Sequence, residues 1–267
     1  MKWSEEAEKA IKKVPFFVRK KVKTKVEAFV VQKGQNFVQL SDVNALKKKF
    51  LSKGGMEKDI KGYEVSTCFG GAGCPNSANS CTRLAKEIET LIKKEDILSF
   101  LKKNVKQDLK FHHEFKIVLA DCPNACSRPQ IADIGIIGSV LPGLSKETCT
   151  LCNACVEACD ENAIELDEDN TQPVIDYKKC LMCAKCIGAC PTETIMEKER
   201  GFRIMLGGRL GRHPRLAMEI PGLHSHDQII SIVKKCLKFY KTNSKNGQRF
   251  SHILDSIDQL IVHRSDQ

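Results

Sequence analysis

Two cysteine runs carry the most specific chemistry in this 267-residue sequence. The first reads Cys149-x2-Cys152-x2-Cys155-x3-Cys159. The second, about twenty residues on, reads Cys180-x2-Cys183-x2-Cys186-x3-Cys190, and the two hold eight of the fourteen cysteines. Thiolates repeated at two-residue intervals suit soft metal centres, and the doubled run has the spacing of iron–sulfur cubes. Structural zinc rarely spaces three cysteines two apart and then repeats the run. Disulfides do not suit a chain without a secretory signature, and Lys2, Glu5, Glu6, Glu8 and Lys9 charge the segment after Met1 at once.

The runs resemble those of bacterial ferredoxins that carry two clusters. Pro191 follows Cys190 as in that pattern, whereas Asp160 stands where proline would follow Cys159. In that family three thiolates of one run hold one cube and the fourth crosses to the other. The resemblance therefore assigns Cys149, Cys152, Cys155 and Cys190 to one 4Fe-4S cluster. It assigns Cys180, Cys183, Cys186 and Cys159 to a second.

A second constellation is more dispersed. Cys68 and Cys74 flank the glycine-rich loop Phe69-Gly70-Gly71-Ala72-Gly73, and Cys122-Pro123-Asn124-Ala125-Cys126 follows a strand-like segment. Neither pair is diagnostic alone. With Arg128-Pro129-Gln130 and Asp133-Ile134-Gly135 behind them, they resemble the cluster signature of sirohaem-carrying sulfite and nitrite reductases. Gly207-Gly208-x-x-Gly211-Arg212 resembles that family's return to the haem domain after an inserted ferredoxin. The resemblance implies a third 4Fe-4S cluster on Cys68, Cys74, Cys122 and Cys126, with Cys126 also bridging to the sirohaem iron. Glycines 70, 71 and 73 would let backbone N–H groups approach the cluster sulfides.

Sirohaem is rich in carboxylates and needs permanent cations. Arg83, Arg128, Arg203, Arg209, Arg212 and Arg215 lie beside the relevant motifs, and Arg128, Arg209 and Arg212 are the chosen contacts. His213 reads as a loop residue rather than an iron ligand. Reduction of a small oxyanion, sulfite or nitrite, needs further cations, for which Lys58, Lys61 and Arg83 are nearest along the chain. Cys81 and Cys236 read as core packing.

The elements that must position these groups follow from periodicity. Helices are expected between Ser4 and Val14, from Pro15 through Val18, Val22, Val26, Phe29 and Val30 to Gly34, and from a Ser41–Asp42 N-cap through Val43, Leu46 and Phe50. Trp3, Glu6-Ala7-Glu8, Ile11, Val14 to Arg19, Glu27 and Gly34 resemble the small C-terminal module of the light-independent protochlorophyllide reductase catalytic subunit. We read this part as a docking or dimerisation bundle. Further on, the pattern predicts a helix from Asn79–Ser80 and strands at Phe115–Ala120, Ile131–Gly138 and Arg203–Leu206. Two closing helices would use Ile229 to Tyr240 and Phe250 to Ile261.

The expected class is α+β: a nitrite/sulfite reductase-type sirohaem and 4Fe-4S domain (54–144 and 199–267), an inserted ferredoxin (145–198) and an N-terminal three-helix module (1–53). In full-length sulfite reductases the substrate-binding arginines and lysines come largely from a part preceding the first cysteine pair. Here about fourteen residues separate Gly54 from Cys68, so that half reads as shortened or replaced.

Charge is uneven. Residues 1–53 carry fourteen Lys/Arg against five Asp/Glu, and 145–198 carry five against eleven. The basic head lacks interleaved aromatics or a nucleic-acid motif, which favours a solvated helical face over nucleic-acid binding. No apolar run approaches the roughly 20 residues of a membrane span. We expect a cytoplasmic reductase from an anaerobe, fed by reduced ferredoxin or a similar donor, as a homodimer or with a partner subunit. The rivals are a three-cluster electron-transfer protein without haem, and a tetrapyrrole-binding or maturation protein.

Overall fold

The computed structural model describes residues 1–14, 16–52, 60–167, 169 and 171–261. Pro15, Gly54, Gly55, Met56, Lys58 and the Phe50 side chain fall outside what is described. The chain divides into two compact units, Met1–Ile60 and Lys61–Gln267.

The first unit contains β1 (Lys2–Trp3), α1 (Glu5–Lys12), α2 (Phe16–Gln32), β2 (Phe37–Val38) and α3 (Leu40–Ser52). The Ser4 hydroxyl caps α1 by accepting from the Ala7 amide at 3.2 Å. Gly34, at φ 73°, ends α2, as its position predicts. Asp42 lies inside α3 rather than capping it, and its carboxylate accepts from the Gln39 amide at 3.1 Å. Ala7, Val26, Val30, Val38 and Val43 form the core, and the β1–β2 pairing is parallel. Its two-residue strands left no alternation to read.

In the second unit β3 (Tyr63–Thr67), α4 (Thr82–Lys94), α5 (Ile97–Asn104), β4 (Phe115–Ala120) and β5 (Ile134–Leu144) come first. The ferredoxin-like lobe follows, with α6 (Ala154–Glu157), β6 (Ile164–Asp167), β7 (Gln172–Ile175) and α7 (Lys185–Ala189). The chain then returns through β8 (Ile195–Leu206), β9 (Met218–His224), α8 (His226–Asn243), α9 (Phe250–Ile253) and α10 (Asp258–Ile261). The main sheet has the order β3-β4-β5-β8-β9. Its first three strands are parallel and the last two antiparallel.

Alternation along the strands separates a structural face from a loop-bearing face. Ile134 and Ile136 of β5 and Ile204 and Leu206 of β8 join Leu84, Ile88 and Ile92 of α4 and Ile229, Val233 and Leu237 of α8 in one core. Each of these fully buried side chains contributes about 1.5–3 kcal/mol. Ile137 and Met205 point the other way and pack with Ala125 and Ala217. The Cys122–Cys126 turn therefore sits on the face away from the helices.

β5 and β8 pair from Ile134↔Leu206 to Leu144↔Ile195, with one irregularity at Leu141/Pro142. Residue 198, the expected edge of the lobe, thus falls inside β8. Phe250 to Ile261 forms α9 and α10 rather than one helix. Among the described residues no helix is long and apolar enough to cross a membrane.

Candidate metal centre

Cys68 directly follows β3, and Cys122 stands two residues beyond the neighbouring parallel strand β4. Parallel pairing brings the ends of both strands to the same edge, so residues far apart in sequence meet there. Cys68, Cys74, Cys122 and Cys126 line one hollow of about 70 Å³ with Phe69, Gly70, Asn76, Ser77, Ala120, Asp121 and Asn124. Cys122 is buried, Cys68 and Cys74 are partly exposed, and Cys126 is open to the surface.

Asp121 organises this corner, and no spacing rule pointed to it. It is buried, and its carboxylate accepts from the Cys81 amide at 3.0 Å and the Ser77 hydroxyl at 3.3 Å. Its carbonyl accepts from the amides of Ala78 and Asn79 at 2.9 and 3.0 Å. Its own amide donates to the Cys68 sulfur at 3.3 Å, as does that of Gly70. The Asn124 side-chain amide donates to the Cys126 sulfur at 3.0 Å. These donors stabilise thiolates and tune what the thiolates hold.

A second hollow, of about 320 Å³, is lined by Cys159, Cys180, Cys183 and Cys186 in the lobe. Its other wall includes Asn76, Cys122, Pro123 and Asn124, so the two hollows share Asn76, Cys122 and Asn124. The Val140 amide donates to the Met182 carbonyl at 2.8 Å, tying the second cysteine run directly to β5.

The two runs are backbone copies of each other. Left-handed φ values recur at Leu151 and Met182, at Asn153 and Ala184, and at Asn162 and Glu193, each pair equally placed in its run. Such strain in non-glycine residues concentrates at functional sites. It aims amides at sulfur: Leu151 donates to Cys149 at 3.3 Å and Met182 to Cys180 at 3.4 Å. Ala163 donates to Cys159 at 3.3 Å and Ile195 to Cys190 at 3.4 Å.

Thiol electrostatics follow the same three groups. Burial pushes Cys122 up, and the sulfurs of Cys126, Cys68 and Cys74 add to that. Burial also raises Cys155, with Cys190 and Cys149 adding to it. Cys186 is pushed up to about 12 by burial, reinforced by Cys180, Cys183 and Cys159. For Cys190 burial acts upward, but hydrogen bonds from Ile195, Thr192 and Thr194 outweigh it and hold the thiol below its ordinary value. Cys152 is exposed on the loop before α6.

Apposed, partly buried thiols repel as thiolates, so positive metal charge among them is what lets them ionise together. Among the described residues no three His, Cys, Asp or Glu side chains close on a single-ion site. One zinc ion needs its sulfurs about 2.3 Å away. Sulfurs that line two hollows without closing on one ion fit iron–sulfur cubes better.

The remaining candidates are scattered. Arg128 and Arg212 are exposed, and Arg128 has a left-handed backbone just after Cys126. Arg209 donates to the carbonyls of His213 and Ser251 at 2.8 and 2.7 Å, and Arg215 to those of Gly207, Ser251 and Leu254. Both thus close the 207–215 loop, and that loop meets the Cys126 side through the Ala217 amide and the Gln130 carbonyl. Arg203 pairs with Glu219. Lys61 and Arg83 are exposed, and His213 is an exposed loop residue. Phe69, Leu210 and Leu216 are large apolar side chains 65 to 69% exposed. An open Cys126, with Phe69 lining the same hollow and Arg128 two residues on, is a donor set that fits a carboxylate-rich macrocycle. Cys81 and Cys236 are fully buried, and burial drives both thiols far up.

Comparison with known proteins agrees with this division. The family model for the nitrite and sulphite reductase 4Fe-4S domain matches residues 61–259, and that for the proto-chlorophyllide reductase 57 kD subunit matches 3–47. Coenzyme F420-dependent sulfite reductase of Methanocaldococcus jannaschii is 35% identical over 182 residues, 68% of this chain and 27% of that protein. One subunit of the anaerobic sulfite reductase of Salmonella typhimurium is 29% identical over 203 residues, 75% of this chain and 56% of that protein. The chain thus spans between about a quarter and just over half of these relatives. The crystal structure of dissimilatory sulfite reductase I shares the fold, with a TM-score of 0.52 at 15% identity over 74% of this chain and 51% of that one.

Proposed function

Because the chain belongs to the nitrite and sulphite reductase 4Fe-4S domain family, we propose that it relays electrons through thiolate-held cubes to a sirohaem beside Cys126, where sulfite or nitrite is reduced. One observation carries the reading: Cys126 opens to the surface from the hollow that gathers Cys68, Cys74 and Cys122. Those four thiolates would hold one cube, with Cys126 reaching the tetrapyrrole's metal. Cys180, Cys183, Cys186 and Cys159 would hold a second cube, and Cys149, Cys152, Cys155 and Cys190 a third. When bound, these groups supply one-electron steps to a multi-electron reduction.

The chain's own residues do the positioning. Asn124 holds the Cys126 sulfur, and the amides of Gly70 and Asp121 hold that of Cys68. Arg128 and Arg212 are the proposed carboxylate contacts. Arg209 would act by shaping the loop that carries Arg212. Lys58, Lys61 and Arg83 remain the proposed oxyanion contacts, where a cation neutralises the substrate and assists protonation. A second copy or a partner subunit would cover Phe69, Leu210 and Leu216, and a relative that is itself one subunit of a larger reductase supports that. A reduced ferredoxin or similar protein would supply electrons, and the N-terminal unit would serve docking or dimerisation.

The test is an anaerobic preparation with iron and tetrapyrrole counted, its visible spectrum recorded, and turnover followed with reduced viologen. The reading expects a red absorption band and reduction of sulfite or nitrite. Iron for three cubes without that band would make it an electron-transfer protein. The band without turnover would make it a carrier.

A further inference from the structure

Asp160 departs from the ferredoxin pattern, and the structure gives it a partner. The Lys185 ammonium donates to the Asp160 carboxylate, and both residues line the larger hollow. Asp160 follows Cys159, and Lys185 lies between Cys183 and Cys186, so the pair brackets one ligand set, the one whose hollow reaches Cys122. The other run shows what the fold needs without it. At the equivalent positions of the repeated backbone stand Ala154 and Pro191, beside the set Cys149, Cys152, Cys155 and Cys190. A salt bridge is therefore not required to build a run. It is present beside the hollow that reaches Cys122 and replaced by apolar residues beside the other set.

We propose that Lys185, held in place by Asp160, is a positioning residue that raises the reduction potential of the group bound by Cys159, Cys180, Cys183 and Cys186, so that electrons pass from the outer run toward Cys122. The inference rests on the relay reading above. A positive charge beside a group that gains an electron favours the gain. The ammonium is within electrostatic reach of the Cys183 and Cys122 sulfurs, with Asp160 its strongest neighbour. Asp160 then has two effects. It anchors the lysine, and it cancels part of the lysine's charge. The Lys185 side chain is 44% exposed, so solvent screens the effect, and its sign is the diagnostic.

The test is redox titration followed by electron paramagnetic resonance on anaerobically purified whole protein with its iron counted. Lys185→Met should lower the potential of the group held by Cys159, Cys180, Cys183 and Cys186. Asp160→Asn, which keeps an acceptor to anchor the ammonium but removes the cancelling charge, should raise it. Lys185→Arg should stay near the parent, and the outer group should not move in any variant. Shifts of the same sign in the Met and Asn variants, or none, overturn the proposal while leaving the relay standing. Loss of the iron on Cys159, Cys180, Cys183 and Cys186 in both also overturns it, because the pair would then be structural. A parent protein lacking either ferredoxin-type group would sink the relay itself.

Discussion

The Asp121 amide donates to the Cys68 sulfur at 3.3 Å across 53 positions of sequence, joining the end of β4 to the end of β3. The same residue's carboxylate takes the Cys81 amide and the Ser77 hydroxyl. A single residue, through its amide and its carboxylate, thereby ties the segment from Cys68 to Cys81 to the end of β4.

Removing that carboxylate strands a buried donor. Asp121→Ala should cost about 1–3 kcal/mol, the penalty of an unsatisfied buried amide, and Asp121→Asn, which keeps an acceptor, should recover most of it. Anaerobic denaturant titration measures both. An alanine variant as stable as the parent would remove Asp121 from its organising role.

Cys126→Ala should abolish the red absorption band and cut turnover by more than about 100-fold, since even partners behind a metal ligand cost about 10–100-fold. The ferredoxin-type resonance signals should persist. Cys236→Ala, at a buried helical site, should change neither spectrum nor turnover.

Gly138 on β5 leaves no room for a side chain. A Cβ there would lie 2.0 Å from the Asn79 carbonyl oxygen and 3.0 Å from that of Asp121. These are backbone atoms, so relief requires moving the loop that the Asp121 carbonyl holds. With three cubes as proposed, Gly138→Ala should therefore lose about one third of the iron, with the ferredoxin-type groups retained. Iron analysis beside resonance spectra would show it.

The N-terminal unit should be acid-sensitive through Asp42. The Lys33 ammonium, hydrogen-bonded at 2.9 Å, and the Gln39 amide hold this buried carboxyl below its ordinary value against the opposing effect of burial. A lowered folded value means stability that is fully present above the unfolded pKa of about 3.9 and lost as pH falls through the folded one. Hydrogen exchange of α2 and α3 should accelerate in that window, and Asp42→Asn should flatten the dependence. A parent protein with equal protection at pH 5 and pH 3 would contradict this.

The runs at Cys149 and Cys180 stood out because ligand spacing is local, whereas joining Cys68 and Cys74 to Cys122 and Cys126, which line one hollow, took the family resemblance. Asp121 was not, since a buried aspartate at a strand end has no signature until the loops it serves are placed. β3 escaped notice because Tyr63–Thr67 is a half-exposed edge strand with weak alternation. In β9, Pro221 and Gly222 masked the strand signal. Phe250 to Ile261 has helical periodicity, yet the Gln259 side chain accepts from the Asp255 and Ser256 amides, and the Ser256 hydroxyl bonds Asp258. Those local bonds compete with the helix and divide it. Arg209 and Arg215 were picked for charge, whereas their observed partners are backbone carbonyls, a use of arginine that composition does not reveal.

The β5–β8 ribbon also bears on the proposed relay, because it joins the lobe to the sheet within one chain. A donor that docks and leaves is limited by collision, ionic strength and its own abundance. Here the lobe continues from the paired strands β5 and β8 and is tied back to β5 by the Val140–Met182 bond. Under the proposed relay, a hop from the lobe toward Cys122 would stay within one chain, and its rate should be indifferent to dilution and to salt.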